Sequence, residues 1–188
     1  MSKQKHSIEE IISNKWLVRF NREPFDNSYN YGFVLDCSDD FTLLNNYNED
    51  AGVTGFCVFP NSTVKKYKIY DDANSFKVLS LELKDTTPKE KPNVSIQTIE
   101  KLLESVNKSF PLIVVHCERL NRDVVWIGKV MEIKKKSFTM LEITPNAEWL
   151  ENPNRFKFKD VTKIEFGNGY ENDLHSVAEY RKQKSREV

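Results

Sequence analysis

His116 and Cys117 are the chain's one histidine–cysteine neighbourhood, and a nucleophilic thiol needs a base within hydrogen-bonding reach. Neighbours on a strand point to opposite faces, so these two cannot serve each other. They read as a buried thiol beside a core or surface imidazole. His6, in an N-terminal tail, and His175, in a helical stretch, complete a set of three histidines with no zinc-ligand spacing. The acid pairs Asp39-Asp40 and Asp71-Asp72 invite a metal or general-acid role. The first pair falls in a tight turn and the second just before a helix, where carboxylates accept backbone N–H groups and suit the positive helix end. Gly167-Asn168-Gly169 lacks the flanking pattern of either nucleotide-binding fingerprint. No catalytic residue, metal site or cofactor is expected, and the chain reads as non-enzymatic.

Binding is better provided for. Lys134, Lys135 and Lys136, with Arg155, Lys157 and Lys159, are the strongest electropositive set; phosphate contacts there would give salt-sensitive, sequence-blind affinity. The same lysines would also keep a hairpin tip solvated, and Glu132, Glu142 and Glu165 dilute their field. A second candidate surface is aromatic: Phe25, Tyr29, Tyr31 and Tyr47 in the first half, Trp126 and Trp149 in the second. Tyrosine and tryptophan supply contact area with few rotors; Tyr29, Tyr31, Tyr47 and Trp149 are the interface candidates, with the protein core and the seam between the halves as the competing assignment.

The elements that must position these groups follow from periodicity. Ser7 and Glu10 have capping-box spacing ahead of Ile8, Ile11 and Ile12, which predicts a short opening helix. Trp16, Val18 and Phe20 then alternate with Leu17, Arg19 and Asn21 as on a strand. Tyr31 to Cys37, Phe41 to Asn45, Gly55 to Phe59 and Val64 to Tyr70 follow as strands. A helix starts near Ser75, with Phe76, Leu79 and Leu83 as its apolar stripe. Asp85 to Asn93 has the proline-punctuated character of a linker. Beyond it the spacing predicts a helix over 94–108, strands at 112–117, 124–133, 137–143, 155–159 and 163–166, and a terminal helix on Leu174, Val177, Ala178 and Arg181.

Length allows two small domains, and 39% hydrophobic residues suffice for their cores. Lysine plus arginine equals aspartate plus glutamate at 28 each, so no global field draws the protein to nucleic acid or an anionic membrane. Divided after Glu90, the first part holds 11 basic against 14 acidic residues and the second 17 against 14. Cys37, Cys57 and Cys117 form no CxxC pair and read as buried thiols of a reducing cytosol. The basic start is followed by Glu9 and Glu10, which spoils a signal peptide. No stretch approaches a membrane span, and a cytoplasmic location is expected.

The two halves echo each other. Gly32-Phe33-Val34, Phe41-Thr42-Leu43-Leu44 and Val64-Lys65-Lys66-Tyr67 find counterparts in Gly128-Lys129-Val130, Phe138-Thr139-Met140-Leu141 and Val161-Thr162-Lys163-Ile164, at nearly the same spacing. With a helix in front and a brief turn between strands four and five, this pattern resembles the Sm-like and SH3-like small barrels, best along Gly128 to Phe166. The whole chain resembles bacterial proteins carrying such a barrel singly or doubled. The resemblance implies a mainly β (α+β) fold of two tandem small five-stranded Sm/SH3-like barrels with flanking helices: a first barrel over 1–85, a linker over 86–93, and a second barrel with its terminal helix over 94–183. RNA-binding Sm proteins grip the base from two turns, which here read Ser38-Asp39-Asp40 and Pro60-Asn61-Ser62, then Lys134-Lys135-Lys136 and Lys159-Asp160. Neither copy has the grip, so a uridine-binding ring is not implied. The expectation is a protein–protein interaction or scaffold module of the bacterial cytosol. The alternative is a regulator binding RNA or single strands through the basic face of the second copy. Oligomeric state is left open.

Overall fold

A computed structural model describes residues 6–26 and 29–186; the basic start Met1 to Lys5 and the Asn27-Ser28 part of the first loop lie outside the described residues. The chain forms two compact units, Met1–Pro92 and Asn93–Val188. The first comprises α1 (Ile8–Ser13), β1 (Leu17–Asn21), β2 (Tyr29–Cys37), β3 (Phe41–Asn48), β4 (Gly52–Pro60), a 3-10 turn (Asn61–Thr63), β5 (Lys66–Tyr70) and α2 (Phe76–Leu83). The second comprises α3 (Ile99–Ser109), β6 (Ile113–His116), β7 (Val125–Lys134), β8 (Ser137–Glu142), β9 (Asn154–Lys157), a 3-10 turn (Phe158–Asp160), β10 (Lys163–Phe166) and α4 (Gly169–Lys184).

The molecule is mainly β, but the expected pair of closed five-stranded barrels is corrected. The strands pair antiparallel in open order, β5-β1-β2-β3-β4 in the first unit and β10-β6-β7-β8-β9 in the second. Within a unit, the outer strands stand at opposite ends of that order, so no ladder closes the sheet. The physical reason lies in what covers the apolar face. Ile11 on α1, with Ile8 and Ile12, packs on Val18, Phe20, Val34, Leu44, Cys57 and Phe59. A helix thus removes from water what barrel closure would otherwise hide. The capping box that starts α1 is present in full: Glu10 N donates to Ser7 Oγ (3.2 Å) and Ser7 N to Glu10 Oε2 (2.9 Å).

Each unit bends its sheet at the same place. The β2–β3 register shifts between Val34 and Asp36, and the β7–β8 register between Val130 and Glu132. A bulge of this kind bends the strand and increases its twist. In the first unit Asn61 pins the far end: its Nδ2 donates to Ser38 O (2.9 Å) and Asp39 O (3.0 Å), and its Oδ1 accepts from Thr42 Oγ1 (2.7 Å).

Two helices differ from their periodicity. The helix expected over 94–108 starts only at Ile99, behind the N-cap Thr98. Val94 and Ile96 are buried all the same, because they alternate in an extended segment that mimics helical spacing when read with Ile99. On α2 the face is inverted. Leu81 enters a core cluster with Leu17, Phe33 and Tyr47, while Phe76 (86%), Leu79 (43%) and Leu83 (89%) are exposed. The segment after α2 lies along the first unit: Thr86 N donates to Leu81 O (2.9 Å), Lys89 N to Asn45 Oδ1 (2.7 Å) and Lys91 Nζ to Asp36 Oδ2 (2.6 Å).

Candidate functional site

The first unit carries a sheet face on which cations and tyrosines interleave. Strand alternation sends Leu17, Arg19 and Asn21 to one side of β1. Register places Tyr31 and Lys68 on either side of Arg19, and Tyr29 and Lys66 on either side of Asn21. The third row is Phe33, Leu17 and Tyr70, and this is the row that α2 covers through Leu81. The rows beyond it are open at their edges: Tyr29, Lys66 and Lys68 are exposed, Arg19 and Tyr31 are half-buried with Tyr31 packed against the same cluster, and Asn21 between Tyr29 and Lys66 is buried. The Arg19 guanidinium lies 4.2 Å over the Tyr29 ring, Lys68 Nζ 4.8 Å over Tyr70, and Lys77 Nζ 5.3 Å over Tyr31. Such contacts are favourable because the ring face is electron-rich. A hydrogen bond with the Tyr31 hydroxyl raises the Arg19 guanidinium further above its usual range. Burial, then the neighbouring Tyr31, raises the Tyr70 phenol.

Of the aromatic interface candidates, Tyr29 and Tyr31 therefore share one face. Tyr47 does not: it is 6% exposed and meets Phe33 edge-on at 6.4 Å, a core residue. Trp149 is half-buried against Leu112, Ile143, Ala147, Leu174 and Ala178. Trp126 is half-buried and T-shaped to Phe156 at 5.6 Å. Linear reading missed the lysines of β5, whose meaning comes only from pairing with β1. Alternation across Lys66-Tyr67-Lys68-Ile69-Tyr70 was the available signal.

The basic set of the second unit is brought partly together. Lys134 ends β7 and pairs with Ser137, Lys135 and Lys136 form the β7–β8 turn, and Lys157 pairs with Ser137 from the other side. Arg155 lies two residues along β9 and donates from Nε to Ser137 Oγ (3.1 Å). Glu132 sits 3.0 Å from Lys134 Nζ and partly neutralises it. The rings of β9 and its turn face inward, Phe156 and Phe158 stacking on Phe138 at 5.3 and 6.2 Å. This surface presents charge on an outer strand of its unit's sheet, where lysine and arginine also discourage strand addition.

His116 Nε2 bonds Glu165 Oε2 (2.8 Å), and Lys163 Nζ lies 3.5 Å from Glu165 Oε1. Burial raises the Glu165 carboxyl, but the His116 hydrogen bond and the Lys163 charge overcome it and hold it at about 2. Burial, followed by the charges of Asp160 and Glu118, pushes the Cys117 thiol up to about 12, so it carries almost no thiolate near neutral pH. His6 is tied down, unlike a free tail: it bonds Asp71 Oδ2 (2.8 Å) and packs on Trp16 with ring centroids 4.5 Å apart. Both His6 and Asp71 edge a cleft of about 730 Å3 floored by Ile11, Val18, Phe20 and Val34. Cys37 also lines it, but its Sγ bonds Ser38 O and Thr42 Oγ1. Among the described residues, no three His, Cys, Asp or Glu side chains converge as a metal ion would require, and no helix is long and apolar enough to cross a membrane.

The chain matches no protein-family model, no curated protein and no solved structure.

Proposed function

We propose that the protein is a non-enzymatic interaction module that docks a helical segment of a protein partner on α2. The observation that supports this is the stripe of Phe76, Leu79 and Leu83, left in water by a helix whose opposite side already packs through Leu81. A helix apolar on two sides is normally buried on two sides, and a bare apolar stripe rimmed by polar groups marks an interaction surface. The three side chains are spaced three and four apart over two turns, the period at which a second amphipathic helix presents its own anchors. A stripe this short falls below the roughly 800 Å2 per side of a stable interface between copies, which favours a transient partner. Lys77, paired with Glu49, and Lys84, donating to Glu49 O, fix α2 to the β3–β4 turn and keep the stripe pointing outward.

The test is a photo-crosslinking residue at Leu83 in expressing cells, with one at Lys135 as the control. A discrete adduct is expected at Leu83 alone, disappearing when Phe76→Ser and Leu79→Ser are added. The purified partner should then bind the wild type at least tenfold more tightly than the double variant. An adduct of twice the chain's mass would replace the partner by a second copy. An adduct indifferent to the two substitutions, or none, would overturn the reading.

A further inference from the structure

We infer that the open β5-β1-β2 face of the first unit is a binding surface for single-stranded nucleic acid, with Tyr29 and Tyr31 as stacking platforms and Arg19, Lys66 and Lys68 as phosphate contacts. It is a separate surface from the α2 stripe and does not depend on the partner docked there.

Charge selects this face. Most cations around it are neutralised: Lys65 by Glu23 (3.3 Å), Lys77 by Glu49 and Lys91 by Asp36 (2.6 Å). Arg19, Lys66 and Lys68 have no carboxylate partner among the described residues; Arg19 and Lys68 lie over tyrosine rings instead. The part of the chain before Glu90 holds more acids than bases, so three unpaired cations on one face, with no acid in their rows, are a local concentration against the average. Every phosphate neutralised there would release a counterion, giving affinity that falls with salt.

Ring geometry selects the single strand. The rows Tyr31-Arg19-Lys68 and Tyr29-Asn21-Lys66 are successive same-side positions of three neighbouring strands, about 7 Å apart along the strand and about 5 Å between strands. That grid matches two or three unstacked bases, each with a ring or a guanidinium plane to lie on. The Arg19 guanidinium carbon lies 4.2 Å from the Tyr29 ring centroid, so the cation is positioned on the face before a base arrives. Tyr29 is 45% exposed at the margin of the face. Bases inside a duplex are already stacked and cannot use such platforms. The basic turn of the second unit offers charge without them, since Phe156 and Phe158 are stacked inward on Phe138.

Fluorescence anisotropy of the full chain with a labelled oligothymidylate of about fifteen nucleotides tests the assignment. The expected plot of log affinity against log salt has a slope of about −2, three phosphates at about −0.7 each. Lys66→Gln and Lys68→Gln should each flatten it by about 0.7. Tyr29→Ala should weaken binding about tenfold and leave the slope alone; the residue is exposed, and an unchanged circular dichroism melt confirms folding. Substituting Lys134, Lys135 and Lys136 together by Gln should change nothing. No binding at low salt overturns the inference, as does equal affinity for polyphosphate or for a duplex of the same length. Loss of binding in the triple-lysine variant would transfer the site to the second unit, and preference for polyglutamate would make the ligand an acidic protein; either result defeats the proposal.

Discussion

A methyl group at Gly128 would sit 2.2 Å from Leu141 O and 2.9 Å from Glu142 Cα; at Gly32 it would meet Asn45 O at 2.6 Å. Both glycines precede the bulges of their units, where the next strand's backbone crosses closest. Backbone atoms cannot rotate away as a side chain could. Alanine at Gly128 should therefore cost about 3 kcal/mol and at Gly32 somewhat less, in the range of overpacked cores, measured by urea unfolding. The other residue-scale prediction concerns Glu165, whose carboxyl is held at about 2 in the folded chain against an ordinary 4.5. A depressed carboxyl stabilises the fold fully above its unfolded value, and that share is lost as pH falls through the folded one. Stability should decline by up to about 3 kcal/mol between about pH 5 and 2. In Glu165→Gln this step should disappear, leaving the variant less stable than wild type at neutral pH and nearly equal to it in acid.

At the scale of elements, α3 holds its sheet through one side chain as well as through its apolar stripe. Asn107 Nδ2 donates to Val130 O (3.1 Å), and Val130 N donates to Asn107 Oδ1 (3.2 Å). Val130 lies two residues beyond Gly128, the last β7 residue that β6 pairs, so its backbone groups on that side are left for another partner. Asn107→Leu preserves volume but orphans both, which should cost about 2–4 kcal/mol and speed hydrogen exchange at the Val130 amide more than at Ile113. Asparagine within a helix carries no such message in one dimension. The capping serine Ser7 is different: it starts α1 where its spacing to Glu10 predicts, since a cap satisfies backbone groups only three residues away, whereas α2 is capped by Ser75 and not by the acid pair Asp71-Asp72 ahead of it. Which side of α2 turns inward was not legible. Phe76, Leu79 and Leu83 form the better stripe, yet Leu81 is the residue that meets Leu17, Phe33 and Tyr47, because a helix with apolar residues on two sides is oriented by the surface it lands on.

Over the whole molecule, the order helix, five strands, helix in each unit could be read from the chain, because alternation and three-to-four spacing are local consequences of backbone geometry. Gly32 and Gly128 stood out in the chain, and the strand crossing too close for a Cβ at each became visible only with the register. Open sheets in place of barrels could not be read, since closure depends on whether helix or sheet covers the apolar face, and both hide the same residues. The candidate site divides the same way. Tyr29 and Tyr31 stood out by type, whereas Lys66 and Lys68 acquire meaning only when β5 pairs with β1 and sets them beside Arg19 and Asn21. Composition and periodicity determined by themselves that this chain folds into β-rich units. Tertiary pairing alone decided where cations and rings meet, because that depends on register between strands more than forty residues apart in the chain, a distance over which no local pattern extends.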